Sequence, residues 1–146
     1  MKKQTLMKIF LVLMPVLAVG LATTKDSVLV YHPTWCMMQA YSYFDLLPVG
    51  VLQSVTPLAA VLCVLVGGFA IGFVITGKKW CINAVKIIAF SAACLAVLPV
   101  LLPSDTKVLP NVGVPIFMMV EFVLAHIMGK MEPGKTKKQG PRLSAR

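Results

Sequence analysis

Four long apolar stretches constrain the fold of this chain more than any other feature of its sequence. They cover approximately residues 6–22, 57–76, 82–102 and 112–128. Each has close to the roughly 20 residues that an α-helix needs to cross the hydrocarbon core of a bilayer. The sequence therefore predicts an all-α membrane protein with four transmembrane helices.

The composition agrees with this prediction and argues against a soluble fold. Hydrophobic residues make up 58% of the chain and charged residues 13%, whereas ordinary soluble domains are about 25% charged. A soluble chain of 146 residues has too little interior to bury several such segments. We predict one helical membrane domain over residues 1–130. We expect residues 131–146, which are rich in Pro, Gly, Lys and Gln, to form a disordered, basic cytoplasmic tail.

The lysines and arginines gather beside alternate ends of the four stretches, and this predicts their orientation. Eleven of the 14 lie on one predicted side, Lys25 and Lys107 lie on the other, and Lys86 lies inside the third span. Short loops rich in these residues stay in the cytoplasm. We therefore predict an up-down bundle in the cell membrane with both termini cytoplasmic. The eleven are Lys2, Lys3, Lys8, Lys78, Lys79, Lys130, Lys135, Lys137, Lys138, Arg142 and Arg146.

The net charge of +9 is accordingly mostly a topology signal, and we expect no nucleic-acid partner. The first span has an alternative interpretation. Lys2 and Lys3, an apolar run over residues 9–21 and the small residues near its end also describe a secretory signal peptide. A retained helix is compatible with Lys8, whose ammonium can extend to the headgroups. We predict four spans, and cleavage would leave three with unchanged orientations.

The segment over residues 23–56 is the only substantial region predicted outside the membrane, and it is aromatic. Tyr and Trp rings favour the headgroup layer, so we expect this extracytoplasmic segment to lie against the membrane or cap the bundle. Residues 27–31 and 38–44 are β-prone runs separated by Pro33, which predicts a small hairpin. A short interfacial helix is the alternative. The aromatic residues are Tyr31, Trp35, Tyr41, Tyr43 and Phe44.

Small residues in the second and third spans predict where helices pack. Gly68 and Gly72 form a small-xxx-small pattern, and Ala89 and Ala93 offer a matching face. Such residues let helix backbones approach closely in lipid. We predict packing within one bundle, with a homodimer interface as the alternative, because the pattern is frequent in membrane helices of every function.

Glu121 is the main candidate for a functional residue, because it lies near the middle of the fourth span. An ionised carboxylate facing lipid there would be costly, so it needs a partner or a proton. Lys86 lies within about 3 Å of the same depth in the third span, at a rise of about 1.5 Å per residue. We therefore predict a buried ion pair between these two side chains. The same argument places Asn83 level with His126 in one intramembrane polar cluster.

Two hypotheses for this cluster remain open. In the structural one, the ion pair orients the third and fourth helices, and loss of one partner destabilises the fold. In the functional one, Glu121 accepts and releases protons or cations along a polar track. No span shows the repeated polar face that a pore or substrate path would need, and this favours the structural hypothesis.

Motifs for catalysis, cofactors and metals are missing from the sequence. It contains no GxSxG, no Walker-type loop and no HExxH, and its four cysteines do not form a metal signature. We expect a non-enzymatic accessory or structural membrane component with no cofactor or metal. The alternative is a small transporter or channel subunit that uses Glu121. The expected partners are the lipid bilayer and either a second copy or an unidentified membrane protein.

Overall fold

Four helices, each of 19 to 23 residues, make up most of the protein. The structure is a computed structural model, and it describes residues 2–34, 36–46, 54–101 and 107–131. All four helices are long and apolar enough to cross a membrane, as the sequence predicts. The helices are α1 (Lys2–Thr23), α2 (Val55–Thr76), α3 (Lys79–Leu101) and α4 (Gly113–Met131).

The helices extend beyond the predicted spans mainly at their lysine-bearing ends. α3 begins at Lys79 rather than at residue 82, and α4 ends at Met131 rather than at residue 128. A lysine can be accommodated in such a terminal turn, because its long side chain can extend its ammonium into water. The predicted tail beyond Met131 lies outside the described residues, as does Trp35.

Each helix buries one stripe of residues at alternating spacings of three and four. This is the spacing at which helices pack side by side with a small crossing angle. Alanines and other small side chains are common in the stripes, so the helices approach closely. The stripes are Leu11, Pro15, Ala18 and Ala22 in α1; Thr56, Ala59, Cys63, Val66, Ala70 and Phe73 in α2; Ile82, Val85, Ala89, Ala92, Ala96 and Pro99 in α3; and Val114, Met118, Glu121, Ala125 and Met128 in α4.

The four helices form a closed ring of neighbours, in which α1 and α3 each pack against both α2 and α4. The outer surface of this ring is apolar. Ile75, Ile87 and Leu101, for example, are 77%, 69% and 72% exposed. Exposed apolar surface of this extent is unfavourable in water and favourable in lipid. The arrangement is therefore compatible with a multi-pass membrane protein.

The predicted packing residues divide between the inside and the outside of the bundle. Ala89 and Ala93 are buried, and Gly72 is half-buried with Sγ of Cys81 4.0 Å from the position of a Cβ. Gly68 is exposed, and a Cβ there would meet nothing within 4 Å. The prediction that Gly68 packs inside the bundle is wrong. At about 100° per residue, it lies opposite the buried stripe of α2.

We expect Ala89→Leu and Gly68→Leu to have different effects on stability. Leu at position 89 would overpack the fully buried interface of α3 and lower the free energy of unfolding by about 1–3 kcal/mol. Leu at position 68 would point away from the other helices and leave stability unchanged or raise it by up to about 1 kcal/mol. Denaturant titration of both purified variants in detergent measures this, and equal losses would contradict the assigned faces.

A three-stranded antiparallel sheet follows α1 and joins it to the connection between α3 and α4. Its strands are β1 (Val28–His32), β2 (Met37–Tyr41) and β3 (Lys107–Pro110), in the order β2-β1-β3. The hairpin of β1 and β2 is the predicted one, with Val30 opposite Gln39. β3 was not predicted, and it pairs Val108 with Val30 on the other side of β1.

Backbone hydrogen bonds anchor the sheet to one end of the bundle. The N–H of Tyr43 donates to the carbonyl of Ala22 at 3.0 Å, and the N–H of Asn111 donates to the carbonyl of Ser27 at 2.7 Å. The side chains of Val28 and Val30 are fully buried. At the same end, the last turn of α1 meets the start of α4, because a Cβ on Gly113 would lie 2.9 Å from Cδ1 of Leu21.

Candidate functional site

Glu121 lies near the middle of α4 and its side chain is fully buried. It follows Met118 by three residues and precedes Ala125 by four, so it occupies a position in the buried stripe. Neither carboxyl oxygen has a hydrogen-bond partner among the described residues. The helix pattern alone therefore places an acidic side chain in an apolar interior.

The predicted ion pair between Lys86 and Glu121 is not present. The ammonium of Lys86 donates to Oδ1 of Asn83 at 3.4 Å, one turn earlier on α3. It also lies against Gly129, where a Cβ would be 2.5 Å from Nζ. Glu121 is eight residues from Gly129, which is about 12 Å along a helix. The ammonium thus lies near the end of α4, far from the carboxyl group.

Side-chain direction explains why the depth argument failed. The Cα–Cβ bond of a helical residue tilts toward the N-terminus of its helix. Because the start of α3 lies beside the end of α4, the side chains of Lys86 and Glu121 lean toward opposite ends of the bundle. On helices that run in opposite directions, two long side chains therefore lie apart even when their Cα atoms lie at the same depth. Gly129 gives the ammonium room, and the sequence analysis did not single it out.

The predicted contact between Asn83 and His126 is also not formed as a hydrogen bond within the described ranges. Both side chains are exposed. The ring of His126 lies 6.3 Å from that of Phe122, which in turn lies 5.6 Å from the ring of Phe90. Of the four predicted cluster residues, Lys86 and Asn83 thus form one polar pair. Glu121 and His126 are each separate from it.

The surroundings of Glu121 determine what it can do chemically. Among the described residues, the other buried polar side chains are those of Ser27, Ser42 and Thr56. Ser27 and Ser42 flank the strands, and Thr56 lies in the first turn of α2. An ionised carboxylate without a partner would be costly in this environment, which favours the neutral acid. A neutral buried carboxyl group can take part in proton exchange only if water or another titratable group reaches it.

Tyr43 is a second buried polar residue that sequence reasoning did not distinguish from its aromatic neighbours. Its ring is fully buried, and its hydroxyl donates to the carbonyl of Asn111 at 3.3 Å. Burial raises the pKa of the Tyr43 phenol well above its usual value, so the hydroxyl stays a neutral donor. Tyr43 thus joins the segment after β2 to Asn111, which lies just before α4.

Metal binding and known relatives add no further assignment. No group of three or more metal-ligating side chains occurs in the part of the chain that the structure describes. Cys63 and Cys81 are buried, whereas Cys36 and Cys94 are exposed. Comparisons with protein families, with curated proteins and with solved structures find no match.

Proposed function

We propose that this chain is a multi-pass integral membrane protein that forms an up-down bundle of four transmembrane helices. The apolar outer surface of the ring supports insertion into lipid. The asymmetry of basic residues supports cytoplasmic termini and an extracytoplasmic sheet. Lys78 then lies in the cytoplasmic turn between α2 and α3, and Lys79 begins α3 at the same side.

The interior contribution of α1 supports a retained first span over a cleaved signal peptide. Leu11, Ala18 and Ala22 are fully buried against the other helices. Removal of α1 would expose the faces of α2 and α4 that pack on it. The first helix is therefore part of the proposed bundle, and mass spectrometry of the mature N-terminus tests this.

We propose a non-enzymatic accessory or structural role, carried out through helix packing. One observation carries the proposal: among the described residues, small and apolar side chains fill the buried stripes at every position except Thr56 and Glu121. Channels and transporters line their pathways with polar groups. The part of the interior that the described residues form offers ions no such continuous lining.

A small transporter or channel subunit is the second candidate, and one observation favours it. Glu121 is fully buried without a hydrogen-bond partner among the described residues. In the structural hypothesis, an ion pair with Lys86 offsets the cost of burying the Glu121 carboxylate, and this ion pair is not formed. Intramembrane carboxyl groups often serve in proton or ion transfer, so this role would account for an otherwise unfavourable residue.

Flux measurements separate the two roles. We expect the purified protein in liposomes that contain a pH-sensitive dye to conduct protons no faster than protein-free liposomes. Glu121→Gln should behave identically and should be produced in normal yield. Proton flux by the natural chain that Glu121→Gln abolishes, at unchanged yield, would replace the accessory role by the transport role.

In this proposal, the protein binds either a second copy of itself or another membrane protein. Gly68 presents a small, exposed face on α2 that points away from the other three helices. The Gly68→Leu variant described above therefore also tests self-association. A dimer that this variant disrupts would support a second copy, and an unchanged oligomeric state would argue against a dimer through this face.

A further inference from the structure

A groove lies on the outer surface of the bundle, between residues 5–16 of α1 and the end of α2. It has a volume of about 440 Å³, and its wall is almost entirely apolar. Thr5 and Lys8 form one end, Val12 and Val16 continue along α1, and Val74 contributes from α2. This volume lies within the roughly 300–1,000 Å³ typical of sites for small ligands.

The length of the groove matches one leaflet of a bilayer. Thr5 and Val16 are 11 residues apart, which is about 16 Å along a helix. Half of the hydrocarbon core of a bilayer is about 15 Å thick. At the inner end of the groove α1 and α2 come into close contact, because a Cβ on Gly67 would lie 3.7 Å from Cβ of Pro15. The groove therefore ends near the bilayer centre.

Positive charge surrounds the outer end of the groove. Lys8 is half-buried in its wall. Lys78 and Lys79 follow α2 at the same end of the bundle. No Asp or Glu occurs in α1, α2 or α3. An occupant with an anionic head and an apolar tail would match both parts of this surface.

We propose that this groove binds an anionic phospholipid of the cytoplasmic leaflet. The phosphate lies at the ammonium of Lys8, whose side chain leans toward Thr5, and one acyl chain lies along α1 from there to Val16. Basic residues near a membrane surface attract anionic headgroups, and each lysine contributes a several-fold preference. The inference rests on the orientation proposed above, because it needs this end of the bundle at the cytoplasmic surface.

Native mass spectrometry of the full chain in detergent tests the proposal. The probes are phosphatidylglycerol and phosphatidylcholine with identical acyl chains. We expect one phosphatidylglycerol to be retained with about a fivefold preference over phosphatidylcholine. Lys8→Gln should abolish the preference, whereas Lys107→Gln should keep it, because Lys107 is an exposed residue of β3 at the opposite end of the bundle. Equal retention of the two lipids, or equal effects of the two lysine variants, would overturn the proposal.

A second pair of variants tests the apolar part of the site. Val16→Trp places a large ring in the groove, and Ile87→Trp places the same ring on an exposed face of α3. Only Val16→Trp should reduce lipid retention. If it instead separates a dimer into monomers, a second copy occupies the groove and the lipid proposal is wrong. A chain that stays dissolved without detergent would overturn the membrane assignment itself.

Discussion

Replacing Tyr43 with Ala is expected to lower the free energy of unfolding by about 3–5 kcal/mol, as for other fully buried aromatic residues. The ring is completely buried, and the N–H of the same residue donates to the carbonyl of Ala22 in α1 at 3.0 Å. Its hydroxyl also satisfies the carbonyl of Asn111 at 3.3 Å. Loss of the side chain removes both the packing and the hydrogen bond that hold the sheet on the helices.

Two control variants separate these contributions. Tyr43→Phe keeps the ring and removes the hydroxyl, so it should cost only about 0.5–1.5 kcal/mol. Phe44→Ala alters the neighbouring, exposed aromatic residue and should cost about 1 kcal/mol or less. Unfolding in detergent, followed by circular dichroism, gives all three values. Equal losses for Tyr43→Ala and Phe44→Ala would contradict the assigned role of Tyr43.

Replacing Glu121 with Met is expected to raise the free energy of unfolding by about 1–3 kcal/mol. A buried polar group without a hydrogen-bond partner carries a desolvation penalty of this size. Met has a similar volume, and it removes that penalty without leaving a cavity. Glu121→Gln retains a polar group of the same shape and should stay within about 1 kcal/mol of the natural chain.

The sign of this effect decides between the structure and the predicted ion pair. If Lys86 and Glu121 were paired, either Glu121→Met or Lys86→Met would leave one buried charge alone and cost about 3–5 kcal/mol. With Lys86 held near Asn83 and Gly129 instead, Lys86→Met should change the free energy of unfolding by about 1 kcal/mol or less. Thermal unfolding of both variants in one detergent provides the comparison. Destabilisation by both variants would support the predicted ion pair between Lys86 and Glu121 and contradict the structure.

The helices could be predicted from the sequence, because membrane-spanning length and hydrophobicity are local properties of the chain. The hairpin was also predictable, since β1 and β2 are separated by a short turn. β3 was not, because residues 107–110 pair with β1 across more than seventy positions of sequence. Nothing local distinguishes that segment from an ordinary loop.

The errors in the candidate site have two physical causes. Gly68 was assigned to packing from its spacing to Gly72, although only the position of the neighbouring helices decides which face of α2 is buried. Lys86 and Glu121 were matched by the depth of their backbones, whereas long side chains on oppositely directed helices lean apart. Likewise, sequence could not show that Tyr43, rather than Tyr41, enters the interior.

Labelling of cysteines with a membrane-impermeant maleimide tests the proposed membrane topology most directly. Cys36 is exposed in the turn between β1 and β2, and Cys36→Ser provides the unlabelled control. Lys130→Cys in that background reports on the end of α4. In right-side-out spheroplasts, we expect Cys36 to be labelled at once and the cysteine at position 130 only after the membrane is permeabilised. Labelling of both positions in intact spheroplasts, or of position 130 alone, would contradict the four-span topology.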